Sequence, residues 1–421
     1  MKQETMNEKK LLVLDTSYSL EDIYKQGILK SVTCRDIDGY FAHVWTVHPF
    51  ATLVTTKEWA LTYGSPVYHK IDPAHSFIEG KIGKYKWLKF LPPVNFILSQ
   101  IQLIFQLRRL IKKEGISIIR SGDILYMGLL GWVLSRICNI PYVVRVGGNH
   151  DKVFETIGKP IQKRLFKTRK IEKKVERFVL SRADLVVGAN QDNLDFALEN
   201  GARKEYSSIF RYGNLLHEGH FVDPGLREEG ESLLKKLEVQ PNKFLLYIGR
   251  LEKVKHPDHV LHVLSDLRNE DYNVKAVFVG RGTMLEELQL LAEKMQLTDD
   301  VVFAGNQNQD WISRVIPLAV VVLSPHTGRA LSEAALGMVP VVAYDIDWQK
   351  EIIENEITGL IVKYPDLNKF SLAVKRILDE PSFARGLAHN LRNRALNMLL
   401  PKKLNEHEIL QYEKLFQRHG H

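Results

Sequence analysis

Short apolar runs recur along the whole chain, and between them lie longer stretches with apolar residues three and four apart. The first pattern predicts strands buried on both faces, the second helices that cover them. In the first half, residues 10–15, 42–47, 116–119, 142–146 and 185–187 read as strands. Ser121 to Ile137, rich in Leu and Gly, reads as a buried helix ending before Asn139-Ile140-Pro141, and a long basic helix is expected from about Pro160 to Leu180. The second half is more regular, with strands at 244–248, 276–279, 301–303, 320–323, 339–342 and 360–362. Its helices are expected to begin near Pro257, Thr283, Trp311, Ala330 and Trp348. This alternation predicts an α/β protein of two Rossmann-like, doubly wound domains, each with a mostly parallel sheet. The stretch from Tyr212 to Glu231, rich in Gly and His, is the expected boundary. The expected domains are 1–212 and 213–395, with a helical tail over 396–421; spacing leaves open whether the tail returns to the first domain.

A length of 421 residues suits two such domains of about 200 each. Apolar residues at 45% and charged residues at 26% are those of a folded chain rather than a disordered or fibrous one. Two cysteines, Cys34 and Cys138, lack metal-like spacing and point to a reducing compartment. The polar start Met1-Lys2-Gln3-Glu4 argues against a secretory signal, and no run reaches the roughly 18 apolar residues of a membrane span. A cytoplasmic location is expected.

The +8 net charge is unevenly spread. Lys163, Arg164, Lys167, Arg169, Lys170, Lys173 and Lys174 meet only Glu172 and Glu176 in their stretch. Upstream, Lys81, Lys84, Lys86 and Lys89 surround Tyr85 and Trp87. On the helix that follows, Ile97, Ile101, Ile104 and Phe105 line one face, with Gln102, Gln106, Arg109 and Lys113 on the other. Two readings stand: a peripheral contact with an anionic bilayer, or a sheet-covering helix with a solvated basic side. No nucleic-acid motif accompanies the charge, so no nucleic-acid partner is expected.

Candidate chemistry lies mostly in the second half. Gly249 ends an apolar strand where a backbone can pass close to a ligand, and Arg250 and Lys255 follow it as two cations suited to a diphosphate. Their task would be to neutralise that diphosphate as it leaves. Gly280-Arg281-Gly282 makes a turn that would pass near a base or ribose, or is a plain turn; the dinucleotide fingerprint is missing. Glu333 would accept from both hydroxyls of a ribose, or only cap a helix. The amides of Ala330, Leu331 and Ser332 at that helix start would reach a phosphate. His326, Thr327 and Gly328 close the expected sugar pocket, and Asp347 or Glu351 would touch the sugar or cap a helix. In the first half, Gly147-Gly148-Asn149-His150-Asp151 follows a strand and forms a tight, ligand-near turn. His150 or Asp151 would face the donor sugar or an acceptor hydroxyl; Arg120 is a further candidate on the acceptor side, and Asp15 and Asp38 are left open between a site role and a structural one. The fifteen histidines form no spaced metal set, and no serine elbow or Walker loop occurs. No metal and no cofactor are expected.

These residues resemble the retaining nucleotide-sugar glycosyltransferases of glycosyltransferase family 4, with a GT-B fold of two facing Rossmann-like domains. The matching pieces are Gly249-Arg250-Leu251 with Lys255, Val279-Gly280-Arg281-Gly282, Ser324 through Glu333, Gly337 with Pro340-Val341-Val342, and Thr358-Gly359-Leu360-Ile361-Val362. The Ser181-Arg182-Ala183-Asp184-Leu185 run looks like the family's first-domain strand entry. The resemblance implies that Arg250 and Lys255 bind the diphosphate of a UDP- or GDP-sugar, that Glu333 binds ribose, and that no metal is required. It implies transfer to a glycan or lipid-linked acceptor with retention of configuration. Two departures stand out. Pro325 lies where the family carries a glutamate, and Gly147 stands where it carries a histidine, with His150 three residues on. A non-catalytic nucleotide-sugar-binding subunit, or a GT-B epimerase or phosphorylase, are the alternatives; no lysine suited to pyridoxal phosphate is evident.

Overall fold

A computed structural model describes residues 8–15, 18–25, 27–50, 62–225 and 227–420, so the polar residues 1–4 lie outside the described part. Contacts divide the chain into two units, residues 1–215 with 404–421, and residues 216–403.

The first unit is built on eight strands: β1 (Lys10–Leu14), β2 (His43–His48), β3 (Val67–Lys70), β4 (His75–Glu79), β5 (Ile118–Ser121), β6 (Tyr142–Val146), β7 (Leu185–Gly188) and β8 (Ser207–Ile209). They lie in the order β3-β4-β2-β1-β5-β6-β7-β8, all parallel except the β3–β4 pair. The central strands are Val-, Ile- and Leu-rich because both faces are covered. One face packs Leu12, Leu14, Ile119 and Val144 against the helices Pro92–Glu114 and Tyr126–Cys138. The other packs Leu11, Val13, Ile118 and Val143 against Tyr412, Leu415 and Phe416 of the terminal helix Pro401–His419.

The second unit carries β9 (Phe244–Ile248), β10 (Lys275–Val279), β11 (Val301–Gly305), β12 (Val321–Ser324), β13 (Val341–Tyr344) and β14 (Leu360–Val362), in the order β11-β10-β9-β12-β13-β14 and wholly parallel. The expected architecture of two doubly wound α/β domains is the one observed.

Three local expectations need correction. The long basic helix is broken: Lys167 takes φ 55°, and Thr168 then caps a new helix, Arg169–Leu180, by accepting from the Ile171 amide. The buried helix begins at Tyr126 rather than Ser121, because Ser121 completes β5 and the Asp123 carboxylate binds the Leu125 amide in a turn. The third concerns helix Pro92–Glu114. Its sheet-facing side is Gln100, Leu103, Leu107 and Ile111, while Val94, Ile97, Ile101 and Phe105 point outward and are exposed. The helix therefore has two apolar faces, and among the described residues only one of them is covered.

The terminal helix contributes three of the largest side chains on its face of the first sheet. Phe416→Ala is expected to lower stability by about 3–5 kcal/mol, read as a fall in the urea midpoint at unchanged slope. A loss below about 0.5 kcal/mol, typical of a surface site, would contradict this packing.

Candidate functional site

In the second unit, the loops after β9 and β10 pair beyond their strands. The Gly249 amide donates to the Val279 carbonyl and the Leu251 amide to the Arg281 carbonyl, both at 3.0 Å. A Cβ on Gly280 would lie 1.9 Å from the Gly249 carbonyl oxygen, and one on Gly282 would lie 2.2 Å from that of Leu251. Both glycines are thus demanded by this backbone contact, whether or not a nucleotide approaches. Leu251 is fully buried, and Arg250 between the two bonded residues is turned outward and exposed. Arg281 is also exposed.

The chain then makes a short turn, Lys253–Lys255, passes through His256 at φ 48°, and enters helix Pro257–Arg268. Lys255 reaches the loop after β12: its Nζ donates to the Thr327 carbonyl at 2.6 Å and lies 3.1 Å from His326 Nδ1. Burial, and then the neighbouring Arg250 charge, push the Lys255 pKa down, while the Asp347 carboxylate acts the other way. Burial and the Lys255 charge likewise depress His326. Arg250, Lys255, His326, Thr327 and Asp347 therefore meet at the carboxyl edge of β9, β12 and β13. Asp347 is held there with φ 50°. The Thr327 Oγ1 is buried without a hydrogen-bond partner beside Lys255's main-chain acceptor.

Helix Arg329–Leu336 starts after Gly328 with no side-chain cap. The Leu331 amide already donates to the Gly328 carbonyl at 3.1 Å, and the Leu331 side chain is buried. Of the three residues expected to offer free amides, Leu331 is therefore withdrawn; Ala330 sits in the open first turn and Ser332 is largely buried. Glu333 is 1% exposed, with Arg329 Nε 2.9 Å from its carboxylate. Burial raises its pKa. It is no cap, since it lies in the second turn.

Two features were not anticipated. Gln349, wholly buried, ties the loops after β12 and β13 together: it accepts from Ser324 Oγ at 2.7 Å and donates to the Tyr344 carbonyl at 2.8 Å. An amide lacks any sequence pattern that would flag such a clamp. His256, Asp258 and His259 also bring possible metal-ligating atoms within 4.8 Å of one another, a set that spacing did not suggest. His259 Nδ1 is already 2.9 Å from the Tyr344 hydroxyl, and burial holds the His256 pKa down at about 4.

In the first unit, the turn Gly147-Gly148-Asn149 follows β6. Asn149 caps helix His150–Ile157 by accepting from the Asp151 and Lys152 amides. His150 Nδ1 lies 2.7 Å from Glu176, which is itself bound by Arg169 at 2.6 and 2.8 Å. Asp151 pairs with Arg169 and Lys173, so its carboxylate serves this network rather than an open ligand edge. Arg120 is buried beneath the terminal helix, donating to the Tyr412 hydroxyl at 3.1 Å, with Glu408 at 3.7 Å.

The comparisons with known proteins now fit this geometry. Residues 231–398 match the family model described as glycosyl transferases group 1. Alpha-D-kanosaminyltransferase of Streptomyces kanamyceticus is 24% identical over 271 residues, 62% of this chain and 67% of that protein. Alpha-monoglucosyldiacylglycerol synthase of Streptococcus pneumoniae is 24% identical over 285 residues, 63% of each. Among solved structures, HepE of Anabaena in complex with UDP and glucose aligns with a TM-score of 0.70 at 16% identity, over 96% of this chain and all of that one. Sucrose-phosphate synthase of Thermosynechococcus elongatus gives 0.71, also at 16%, over 97% and 100%. The chain has the GT-B fold and is related to the group 1 glycosyl transferases.

Burial works against the Glu176 charge, but the hydrogen bonds from His150 and Arg169 outweigh it and hold its pKa below the usual glutamate range. The stabilisation is complete above the unfolded value of about 4.3 and is lost as pH falls through the lower folded one. Glu176→Gln should lose stability at pH 7 and show a flatter acid limb in pH-dependent melting; an unchanged limb would contradict this.

Proposed function

We propose that the chain is a retaining glycosyltransferase that moves a sugar from a UDP- or GDP-sugar to a glycan or lipid-linked acceptor in the synthesis of cell-envelope polysaccharide or glycolipid. The observation that carries this reading is the meeting of Arg250 and Lys255 at one sheet edge, beside the His326–Thr327 loop. Two cations held together repel each other, and a diphosphate relieves that repulsion. Its charge grows as the glycosyl bond breaks, so the pair stabilises the transition state more than the bound donor. Lys255 now donates to a carbonyl and exchanges that bond for a phosphate oxygen when donor enters. Glu333, buried and raised in pKa, gains from two ribose hydroxyls as donors. His326 and Asp347 border the sugar, and Gly249, Gly280 and Gly282 keep the backbone low beneath the nucleotide. In the first unit, His150, oriented by Glu176, faces the acceptor side. The acceptor attacks from the face the diphosphate leaves, the departing phosphate takes its proton, and neither a protein nucleophile nor a metal is needed. The relatives that transfer kanosamine or make a glucosyl lipid, and HepE with its UDP and glucose, support the class of chemistry.

Arg250→Ala and Lys255→Ala should each lower kcat for transfer by about 100-fold or more, as for removal of an oxyanion donor, in transfer assays across nucleotide sugars. Full turnover in the double variant would refute the reading. Nucleotide binding with no turnover by the natural chain would favour the non-catalytic subunit instead, to which the Pro325 departure points.

The acceptor's setting is the cytoplasmic face of an anionic membrane. Among the described residues no helix is long and apolar enough to cross a bilayer. Helix Pro92–Glu114 offers a different contact: its outward stripe of Val94, Ile97, Ile101 and Phe105 continues into Trp87 and Phe90, which are 71% and 80% exposed. Lys84, Lys86 and Lys89 alternate with these rings. Apolar side chains that enter the acyl boundary beneath a rim of lysines match an anionic surface. Burying Trp87 or Phe90 contributes about 1.5–3 kcal/mol each. Trp87→Ala with Phe90→Ala should therefore weaken sedimentation with phosphatidylglycerol vesicles by more than tenfold. Equal sedimentation of the natural chain with phosphatidylcholine vesicles would refute the charge contribution.

A further inference from the structure

Next to Lys255, but outside the residues assigned to the donor, lies a cluster of metal-ligand type. His256, Asp258 and His259 each bring one ligand atom to it, with no two of these atoms farther apart than 4.8 Å. The fold gathers them within a single turn. His256 takes φ 48°, and helix Pro257–Arg268 begins directly after it. A left-handed backbone costs a histidine more than a glycine, so the imidazole stands at this corner against local preference. Pro257 is buried at the first helical position, where its fixed φ suits the helix start. From that first turn Asp258 and His259 project beside the His256 ring, with 5.0 Å between the two imidazole centroids.

Each side chain has the chemistry and the freedom that a ligand needs. His259 commits Nδ1 to the Tyr344 hydroxyl at 2.9 Å, which leaves Nε2 as its free nitrogen. Tyr344 is wholly buried at the end of β13, so this contact fixes the pitch of the His259 ring. A metal selects the tautomer in which Nδ1–H donates to that hydroxyl and Nε2 carries the lone pair, the outer contact that ligating histidines usually make. Among the described residues, neither the His256 ring nor the Asp258 carboxylate makes a hydrogen bond or ion pair. Burial, the largest influence on both, favours the neutral imidazole at His256 and His259, the form that binds metal. Lys255 turns away from the cluster, with its Nζ on the Thr327 carbonyl. Its charge and the positive end of the helix oppose a cation, which sets the affinity below that of a closed structural site.

We infer that His256, Asp258 and His259 hold a divalent transition-metal ion of the zinc class. Two imidazoles and one carboxylate suit zinc, and suit magnesium or calcium poorly, since those ions take oxygen ligands. Four-coordinate zinc, with bonds of about 2.0–2.1 Å, spaces its ligands about 3.4 Å apart. The two groups without hydrogen bonds therefore close on the fixed His259 ring as the ion enters, and water fills the fourth position. The ion takes no part in breaking the glycosyl bond. It ties the short turn Lys253–Lys255, from which Lys255 reaches the loop after β12, to the helix behind it. The inference does not depend on the transfer reading, because neither Arg250 nor Lys255 is a ligand.

The test is calorimetric titration of Zn²⁺ into the full chain, in a buffer free of phosphate and chelators. One zinc per chain is expected in the tightest class of site, at least tenfold weaker in His259→Gln and in Asp258→Asn. Tyr344→Phe keeps all three ligands and removes only the outer hydroxyl; it should weaken zinc by about tenfold or more. His262→Gln, one turn along the same helix and outside the cluster, should bind as the natural chain does. No zinc binding by the natural chain would overturn the inference. So would unchanged affinity in any of the first three variants that folds, as judged by circular dichroism, or an equal loss in His262→Gln. Zinc should also raise the melting temperature of the natural chain and shift that of His259→Gln less; equal shifts would count against the site. Tighter binding of Mg²⁺ than of Zn²⁺ would overturn the assignment to nitrogen ligands.

Discussion

The second domain depends on a contact between two backbones. The loops after β9 and β10 continue the sheet's pairing past its edge, and only glycine at positions 280 and 282 lets them close. Because Gly249 and Leu251 are both bonded to the neighbouring loop, Arg250 between them has a fixed direction. Side chains alternate along extended backbone, so burying Leu251 turns Arg250 outward. Lys255 is then delivered by one short turn to the loop after β12, and Gln349 holds that loop against β13. A cationic site on rigid sheet ends needs less ordering when its ligand arrives than one on free loops.

The first domain uses charge differently. Glu172 and Glu176 are wholly buried on a helix whose composition is basic, and Arg169 reaches both. Such pairs seldom add net stability, because desolvation offsets their attraction. What they contribute is position: the network ties the turn that carries His150 to helix Arg169–Leu180. Removing one partner strands the others, which makes the arrangement all-or-none.

The parallel strands were readable in the sequence because burial on both faces leaves uniform apolar runs. The Gly-Arg and Glu333 features were readable because they follow such runs at short range. Other elements leave no such trace. The edge strand β3 is mostly exposed and carries Tyr68, His69 and Lys70, so it has no apolar run. The outward stripe on helix Pro92–Glu114 has the same three-and-four spacing as a buried one, and periodicity cannot say which face meets the sheet. Arg120 finds Tyr412 292 residues away, and Gln349 acts through an amide that any exposed glutamine also carries. Spacing reports local order; these contacts are made by the fold.

One face of the first sheet is roofed by Glu408 to Phe416, residues that follow the whole of the second unit in sequence. During synthesis that roof is made only after the second unit. The second unit, continuous in sequence, can therefore complete its core first, and the earlier-made sheet waits with Leu11, Val13 and Ile118 uncovered. The usual order, in which the amino-terminal domain finishes first, cannot hold here, because the sheet's apolar face lacks its cover until the segment after the second unit has been made.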